Sequence, residues 1–370
     1  MKIGCVKEIK KYEYRVGMTP DNVKSYVSHN HTVYVEKGLG EGSAFADEEY
    51  LNAGAKIINT AEEVWDLSDM LIKVKEPLKE EYKLMKKGQI LYTYLHLAAD
   101  PEQTEALLSS KTKGVAYETL KDQNGTLPLL RPMSEIAGRL SIQEGAKCLE
   151  KHFGGRGVLI AGVTGVEKAK VVILGGGIVG TNACKIAVGM GADVTIIDLN
   201  IERLSYLDDI FGSRIQTIYS TEGAIRKALS QADLVIGAVL IPGHTAPKLI
   251  KKEYLKQMKA GSVIVDVAVD QGGCCETTKA TYHDNPTFVE DGVVHYCVAN
   301  MPGATPRTAT IALTNATFKY GLLIADNGLE KACQIDGGIY SAINTYDGKC
   351  TFKNVAESLG IPYTNIDQLM

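Results

Sequence analysis

Nowhere in the 370 residues does an apolar run reach the length that a bilayer-spanning helix needs. The opening MKIGCVKEIK lacks the apolar core of a secretory signal. Excess charge is missing too: Lys+Arg 40 against Asp+Glu 44 leaves a formal net charge of -4, which removes the bulk electrostatic case for a nucleic-acid or membrane partner. Metal-ligand spacing is absent as well. Cysteines 5, 148, 184, 274, 275, 297, 333 and 350 form no CxxC pair, and none is spaced with a histidine as zinc requires. No metal is therefore expected, and the chain reads as a reduced, cytoplasmic protein. The vicinal Cys274 and Cys275 are read as an incidental reduced pair, with a redox role as the alternative. Repeats and low-complexity tracts are also lacking, and the length suits two domains.

What is present is alternation. KIGCVKE (2–8), TVYVEKG (32–38), AKII (55–58), MLIKVKE (70–76), QILYTYLH (89–96) and GVAYETL (114–120) read as strands. Between them, helices are expected from Thr19-Pro20, near Asp47, after Thr60 and from Asp100-Pro101, where a capping side chain is in places followed by proline at the first helical position. RPMSEIAGRLSIQEGAKCLEKHFGG (131–155) keeps helical spacing for about five turns, long enough to join two lobes. Six more strands are predicted at 170–175, 193–198, 214–220, 233–239, 262–269 and 293–300, then a long helix over 304–326 that returns the chain to the first lobe. The expected fold is α/β, two doubly wound domains with mainly parallel sheets joined by long helices, one of them a Rossmann dinucleotide-binding domain. Residues 1–130 plus 310–370 would form one domain and 131–309 the other. Strand order is not legible from the pattern.

VVILGGGIVG (171–180) places Gly175, Gly177 and Gly180 in a GxGxxG array between a strand and a helical run. Such glycines allow a tight turn, close approach of backbone to a pyrophosphate, and close helix packing, while the helix start offers free N–H donors. Asp198 ends DVTIID, 18 residues after Gly180 in the numbering. A carboxylate there accepts from ribose hydroxyls and repels a 2′-phosphate, which favours NAD over NADP. Arg203 follows, either flanking the adenosine or simply solvated.

The remaining strand ends carry Ser220, Val239-Leu240, Val267-Ala268-Val269-Asp270 and Val298-Ala299-Asn300-Met301, whose backbone groups suit ribose and nicotinamide. Asp270 is the one acid among the last three ends, a site residue or a turn cap. In the first lobe Arg15, Lys75 and His96 lie near strand ends. A cationic fork, an ammonium and an imidazole would suit a small carboxylate substrate with proton transfer, although spacing alone does not show that they converge.

The motifs KEIKKYEYRVGMTP, LIKVKEP, YTYLHLAAD, RPMSEIAGRLS, VVILGGGIVG, DVAVDQGG and VANMPGATPRTAT, in this order over nearly the full length, resemble the alanine dehydrogenase and pyridine nucleotide transhydrogenase family. The resemblance implies substrate recognition by Arg15 and Lys75, catalysis by His96 and Asp270, and NAD contacts from Ser134, Ile178, Val179, Asp198, Arg203, Ser220, Val239, Leu240, Val267, Ala268, Val269, Asp270, Val298, Ala299, Asn300 and Met301. Lys279 stands where an arginine contact is expected, which puts its own role in doubt. Hexamers of two-domain subunits are implied as well.

Residues and resemblance together suggest that Arg15 and Lys75 clamp the carboxylate of L-alanine while hydride leaves its Cα for NAD. His96 would then serve as base toward water and as acid in the collapse to pyruvate and ammonia, with Asp270 compensating positive charge. Closure of the lobes would control water. Three other readings stay open: a dehydrogenase of a larger amino acid, the NAD-binding component of a transhydrogenase, and an NAD-binding regulatory module without turnover.

Overall fold

The helix starts are set by local chemistry. Thr19 accepts from the Asn22 amide at 3.3 Å ahead of Pro20, and Asp100 accepts from the Gln103 amide at 3.0 Å ahead of Pro101. Thr60 does the same for Glu63 at 3.3 Å, so each cap occupies an amide that the first helical turn leaves without a partner. The computed structural model describes residues 1–239 and 245–370; the expected contact Leu240 lies outside them.

The first six strands are β1 (Lys2–Cys5), β2 (Thr32–Glu36), β3 (Lys56–Ile58), β4 (Met70–Ile72), β5 (Ile90–Thr93) and β6 (Lys113–Ala116). Next come β7 (Lys170–Leu174), β8 (Asp193–Asp198), β9 (Ile215–Tyr219), β10 (Leu234–Gly237), β11 (Val263–Asp266), β12 (Thr287–Glu290) and β13 (Val293–Tyr296). β14 (Ile343–Tyr346) and β15 (Lys349–Cys350) complete the described strands. They form two sheets, ordered β15-β14-β6-β5-β4-β1-β2-β3 and β12-β13-β11-β10-β7-β8-β9. The chain divides into two compact units, Met1–Met133 with Thr305–Met370, and Ser134–Ala304.

Both sheets are doubly wound. In the first, β1 pairs in parallel with β2 and β4, so the order reverses between β1 and β4. In the second, β7 pairs in parallel with β8 and β10 and the reversal falls there. Such a reversal opens a crevice at the carboxyl ends of the strands, where ligands of α/β proteins bind. Short strands such as β4, β5, β10 and β11 are buried along their whole length, as parallel strands covered by helices on both faces should be.

The structure departs from the expected pattern in several places. The helix expected over 131–155 ends at Cys148, since Gly157 donates to the Leu149 carbonyl at 2.8 Å and the chain turns back. The antiparallel strands β12, β14 and β15 fall outside the expected set. His96 does not close a strand, because its φ of 50° and ψ of 35° put it in the left-handed region. The helix Pro306–Asn327 matches the expectation for 304–326 closely.

Candidate functional site

Strand ends in the first unit carry a cluster of charged groups. Arg15, 2% exposed, follows β1 and is gripped by Glu13: Nε and Nη2 donate to its two carboxylate oxygens, each at 2.6 Å. Burial opposes the guanidinium charge and that fork outweighs it. Arg15 Nη1 lies 2.9 Å from Met133 Sδ. Lys75, beyond the end of β4, is half-buried. Burial first, and then the Arg15 charge, push its ammonium below the ordinary lysine value.

His96 follows β5. Glu118 accepts from its backbone amide at 2.6 Å and from that of Leu95 at 3.2 Å. The His96 ring stacks on Tyr94 with centroids 5.8 Å apart, and Tyr94 donates to the Leu129 carbonyl at 2.6 Å. Its Nδ1 lies 3.2 Å from Glu76 Oε2. Burial opposes ionisation of Glu76, but the His96 contact, the Lys75 charge and a hydrogen bond from Lys10 prevail and hold its carboxyl below the carboxylate range. A carboxylate on Nδ1 leaves Nε2 as the ring nitrogen available for proton transfer.

The second unit gathers backbone groups instead. Gly175 follows β7 with φ 99°, and a Cβ on Gly180 would lie 1.8 Å from the Gly175 carbonyl oxygen, so only glycine lets the following helix approach. That helix, Ile178–Gly189, starts at Gly177 with no side-chain cap, and a Cβ on Gly177 would meet nothing within 4 Å. Ile178 and Val179 form its first turn. Ser134 lies one turn before Gly138 on the same helix face, and Gly138 packs against the Val179 carbonyl.

Asp198 at the end of β8 accepts from the amides of Gly176 at 2.6 Å and Asn200 at 2.8 Å. Arg203 donates from Nε to the Gly176 carbonyl at 2.6 Å and also reaches Thr181 Oγ1, so it braces the glycine turn. Ser220 follows β9, its amide on the Asp198 carbonyl at 2.9 Å, and Val239 follows β10. Val267 donates to the Gly237 carbonyl at 2.9 Å, leading into Ala268 and the short turn Val269–Gln271 that exposes Asp270. Beyond β13, Ala299 donates to the Thr281 carbonyl at 3.0 Å, between Val298 and the turn Met301–Ala304. Asn300 has a φ of 59°. Apart from Arg203, in the helix Ile201–Phe211, these residues lie at or just beyond the carboxyl ends of β8, β9, β10, β11 and β13 of one sheet. Lys279 lies elsewhere, 3.8 Å from Glu290 and over the Phe288 ring.

The family models "Alanine dehydrogenase/PNT, N-terminal domain" and "Alanine dehydrogenase/PNT, C-terminal domain" match residues 4–137 and 141–353. The chain belongs to the alanine dehydrogenase/PNT family. An alanine dehydrogenase of Methanococcus maripaludis is 57% identical, with 100% of both chains covered, and one of Staphylococcus haemolyticus is 54% identical, covering 100% of this chain and 99% of that one. A solved L-alanine dehydrogenase superposes with a TM-score of 0.95 at 52% identity, over 97% of this chain and 99% of the other. A transhydrogenase of Sinorhizobium meliloti shares the fold alone, with a TM-score of 0.82 at 23% identity over 95% of this chain and 99% of that one.

NAD fits the second unit of this alanine dehydrogenase/PNT member. The uncapped helix start beside the open Gly177 suits a pyrophosphate, and the Asp198 carboxylate at the end of β8 suits ribose hydroxyls. Residue patterns did not single out Glu13, Glu76, Glu118, Tyr94 or Thr181. Acids are common beside basic residues, and only the fold shows which of them touch Arg15 and His96. The thiols of Cys274 and Cys275 are both buried and pushed up by burial; Cys274 donates to Asp266 at 3.3 Å and Cys275 pairs with Thr277 at 3.0 Å. Neither has the depressed pKa of a reactive cysteine.

Proposed function

We infer that this chain catalyses the reversible oxidative deamination of L-alanine: alanine, water and NAD+ become pyruvate, ammonium, NADH and a proton. The relationship to alanine dehydrogenases over the whole length supports this reading. The observation that carries it is the set Arg15, Lys75 and His96 in the segments that follow β1, β4 and β5 of one sheet, with the Arg15 charge acting on Lys75 and Glu76 against His96.

Bound NAD would supply the hydride acceptor for the substrate Cα. Arg15, held flat by Glu13, and the Lys75 ammonium bind the substrate carboxylate. His96, with Nδ1 against Glu76, presents Nε2 to accept a proton from the attacking water and return one as ammonia departs. Asp270 supplies a negative charge that compensates the cationic intermediate. Ser134, Ile178, Val179, Asp198 and the backbone at 267–270 and 298–301 hold the cofactor, with Arg203 keeping the glycine turn in shape. Eight unpaired, buried cysteines support a reducing compartment, which we take to be the cytoplasm. A homohexamer is the proposed working form, read by light scattering behind size-exclusion chromatography.

The test follows NADH absorbance with NAD and a panel of amino acids, beside the reverse assay with pyruvate, ammonia and NADH. Turnover with L-alanine well above that with larger amino acids is expected. Nucleotide binding without turnover, or preference for a bulkier substrate, would overturn the reading.

A further inference from the structure

Beyond the substrate-facing groups, the first unit buries an ion triad that the mechanism does not use. Lys73, the first residue after β4, is 0% exposed. Its ammonium lies 3.1 Å from Glu8 Oε2 and 2.8 Å from Glu81 Oε1. Glu8 follows β1 and Glu81 lies in the short helix Lys79–Tyr82, so the triad sits beside the reversal of strand order between β1 and β4. Burial opposes the Lys73 charge, and the two carboxylates overcome this and push its pKa up.

Buried ion triads can often be replaced by apolar residues without loss of stability, so stability alone is a weak reason to keep one. The second oxygens of the same carboxylates offer another reason. Glu8 Oε1 accepts from the amides of Val74 at 2.6 Å and Lys75 at 3.1 Å, and Glu81 Oε2 accepts from that of Leu78 at 3.0 Å. An apolar core would leave those amides without acceptors. The Lys75 carbonyl is held as well, accepting from Thr93 Oγ1 at 3.0 Å. Side chains from two neighbouring strand ends thus hold the peptide groups on either side of the Lys75 Cα.

We propose that Glu8, braced by Lys73 and Glu81, and Thr93 are positioning residues that fix the backbone of Lys75 so that its ammonium meets the substrate carboxylate. The proposal rests on the role assigned to Lys75 above. Burial pushes the Glu8 carboxyl up, and Lys73, 3.1 Å from its other oxygen, works against this, favouring the charged form that binds amides more strongly and keeping it turned toward them. Glu81 holds the far end of the same segment. A displacement of Lys75 by a fraction of an ångström weakens binding of the carboxylate and leaves the nucleotide site of the other unit as it was.

The test compares Glu8→Ala, Glu8→Gln, Thr93→Val and Lys75→Ala in the full-length protein, measuring pyruvate KM, NADH affinity by fluorescence titration, and thermal unfolding. Thr93→Val keeps the β-branched shape and removes only the donor, so it guards against failure of Glu8→Ala to fold. Lys75→Ala and Glu8→Ala are expected to raise pyruvate KM by about tenfold or more, and Thr93→Val by several-fold, with NADH affinity within about twofold of the parent. Glu8→Gln, whose side-chain oxygen still accepts from the two amides, should recover most of the loss. A merely structural role would lower the unfolding temperature and the active fraction while leaving KM in place. Unchanged KM in Thr93→Val, together with unchanged KM in any Glu8→Ala that folds, overturns the proposal if Lys75→Ala does raise it. Unchanged KM in Lys75→Ala overturns the assignment of Lys75 and this proposal with it.

Discussion

His96 holds a left-handed backbone, φ 50° and ψ 35°, a conformation that costs a non-glycine residue about 1–2 kcal/mol. Glu118 offsets that cost through the amides of Leu95 and His96, and Glu76 fixes the ring. His96→Ala is expected to cut turnover by about 10²–10⁴-fold while NADH still binds in a fluorescence titration; near-normal turnover would remove His96 from the mechanism. Lys75 gives a pH signature. Burial and Arg15 lower its pKa below the ordinary lysine value of 10.5, so the ammonium discharges, and carboxylate binding weakens, at a lower pH than for an ordinary lysine. Pyruvate KM should therefore climb as pH rises toward that value, and a flat profile up to it contradicts the role. For Asp198→Asn the expected change is a rise of about tenfold in the NADP to NAD ratio of kcat/KM, equivalent to about 1.4 kcal/mol. An unmoved ratio in steady-state assays counts against the ribose contact.

At the scale of elements, several strands stop earlier than their apolar pattern suggests, and carboxylates are the reason. The pattern runs through 70–76, yet β4 ends at Ile72, because Glu8 takes the amides of Val74 and Lys75. It runs through 89–96, yet β5 ends at Thr93, and Glu118 takes the amides of Leu95 and His96. Beyond β11, Asp266 accepts from the Ala268 amide at 3.2 Å, ahead of Asp270. Each amide is diverted from the ladder to a carboxylate, and a chemically active side chain follows. In the second sheet, Gly180→Ala would drive a methyl into the Gly175 carbonyl. A loss of about 1–3 kcal/mol in denaturant unfolding is expected, along with weaker NADH binding.

The helix Leu329–Ile335 is tied to β6 and β14 by Glu330, which bonds Lys113 and, at 2.7 Å, Tyr346. Burial opposes the Glu330 charge, but these partners lower its carboxyl from 4.5 to about 2. The stabilisation is present above the unfolded value and is lost as pH falls from there toward the folded one. Urea midpoints of the parent and Glu330→Gln should therefore differ near neutrality and converge on acidification; a constant gap contradicts the linkage.

Across the whole molecule, the chain enters the second unit within the helix Arg131–Cys148 and leaves it just before the helix Pro306–Asn327. The C-terminal family match at 141–353 consequently runs past the second unit into the segment that completes the first. Saturation with NADH at 100 times Kd should stabilise the folded protein by about 2.7 kcal/mol, seen by calorimetry as a higher unfolding temperature, and no shift would argue against a nucleotide site. The α/β class, the GxGxxG turn and the acid ending β8 were legible without coordinates, since they depend on residues within a few positions of one another. β12, β14 and β15 were not, because an antiparallel edge strand depends on a neighbour that no local pattern specifies. The partners of Arg15 and His96 were hidden for a related reason: Glu13 is one of many acids near a base, and Glu76 and Glu118 lie 20 and 22 residues from His96. Local order along the chain thus decided which segments become strands, helices and turns, because propensity, caps and glycine conformations act over a few bonds. Strand order, strand length and the pairing of buried charges were decided only by the tertiary fold, where burial makes an unpaired amide or charge too costly to leave without a partner.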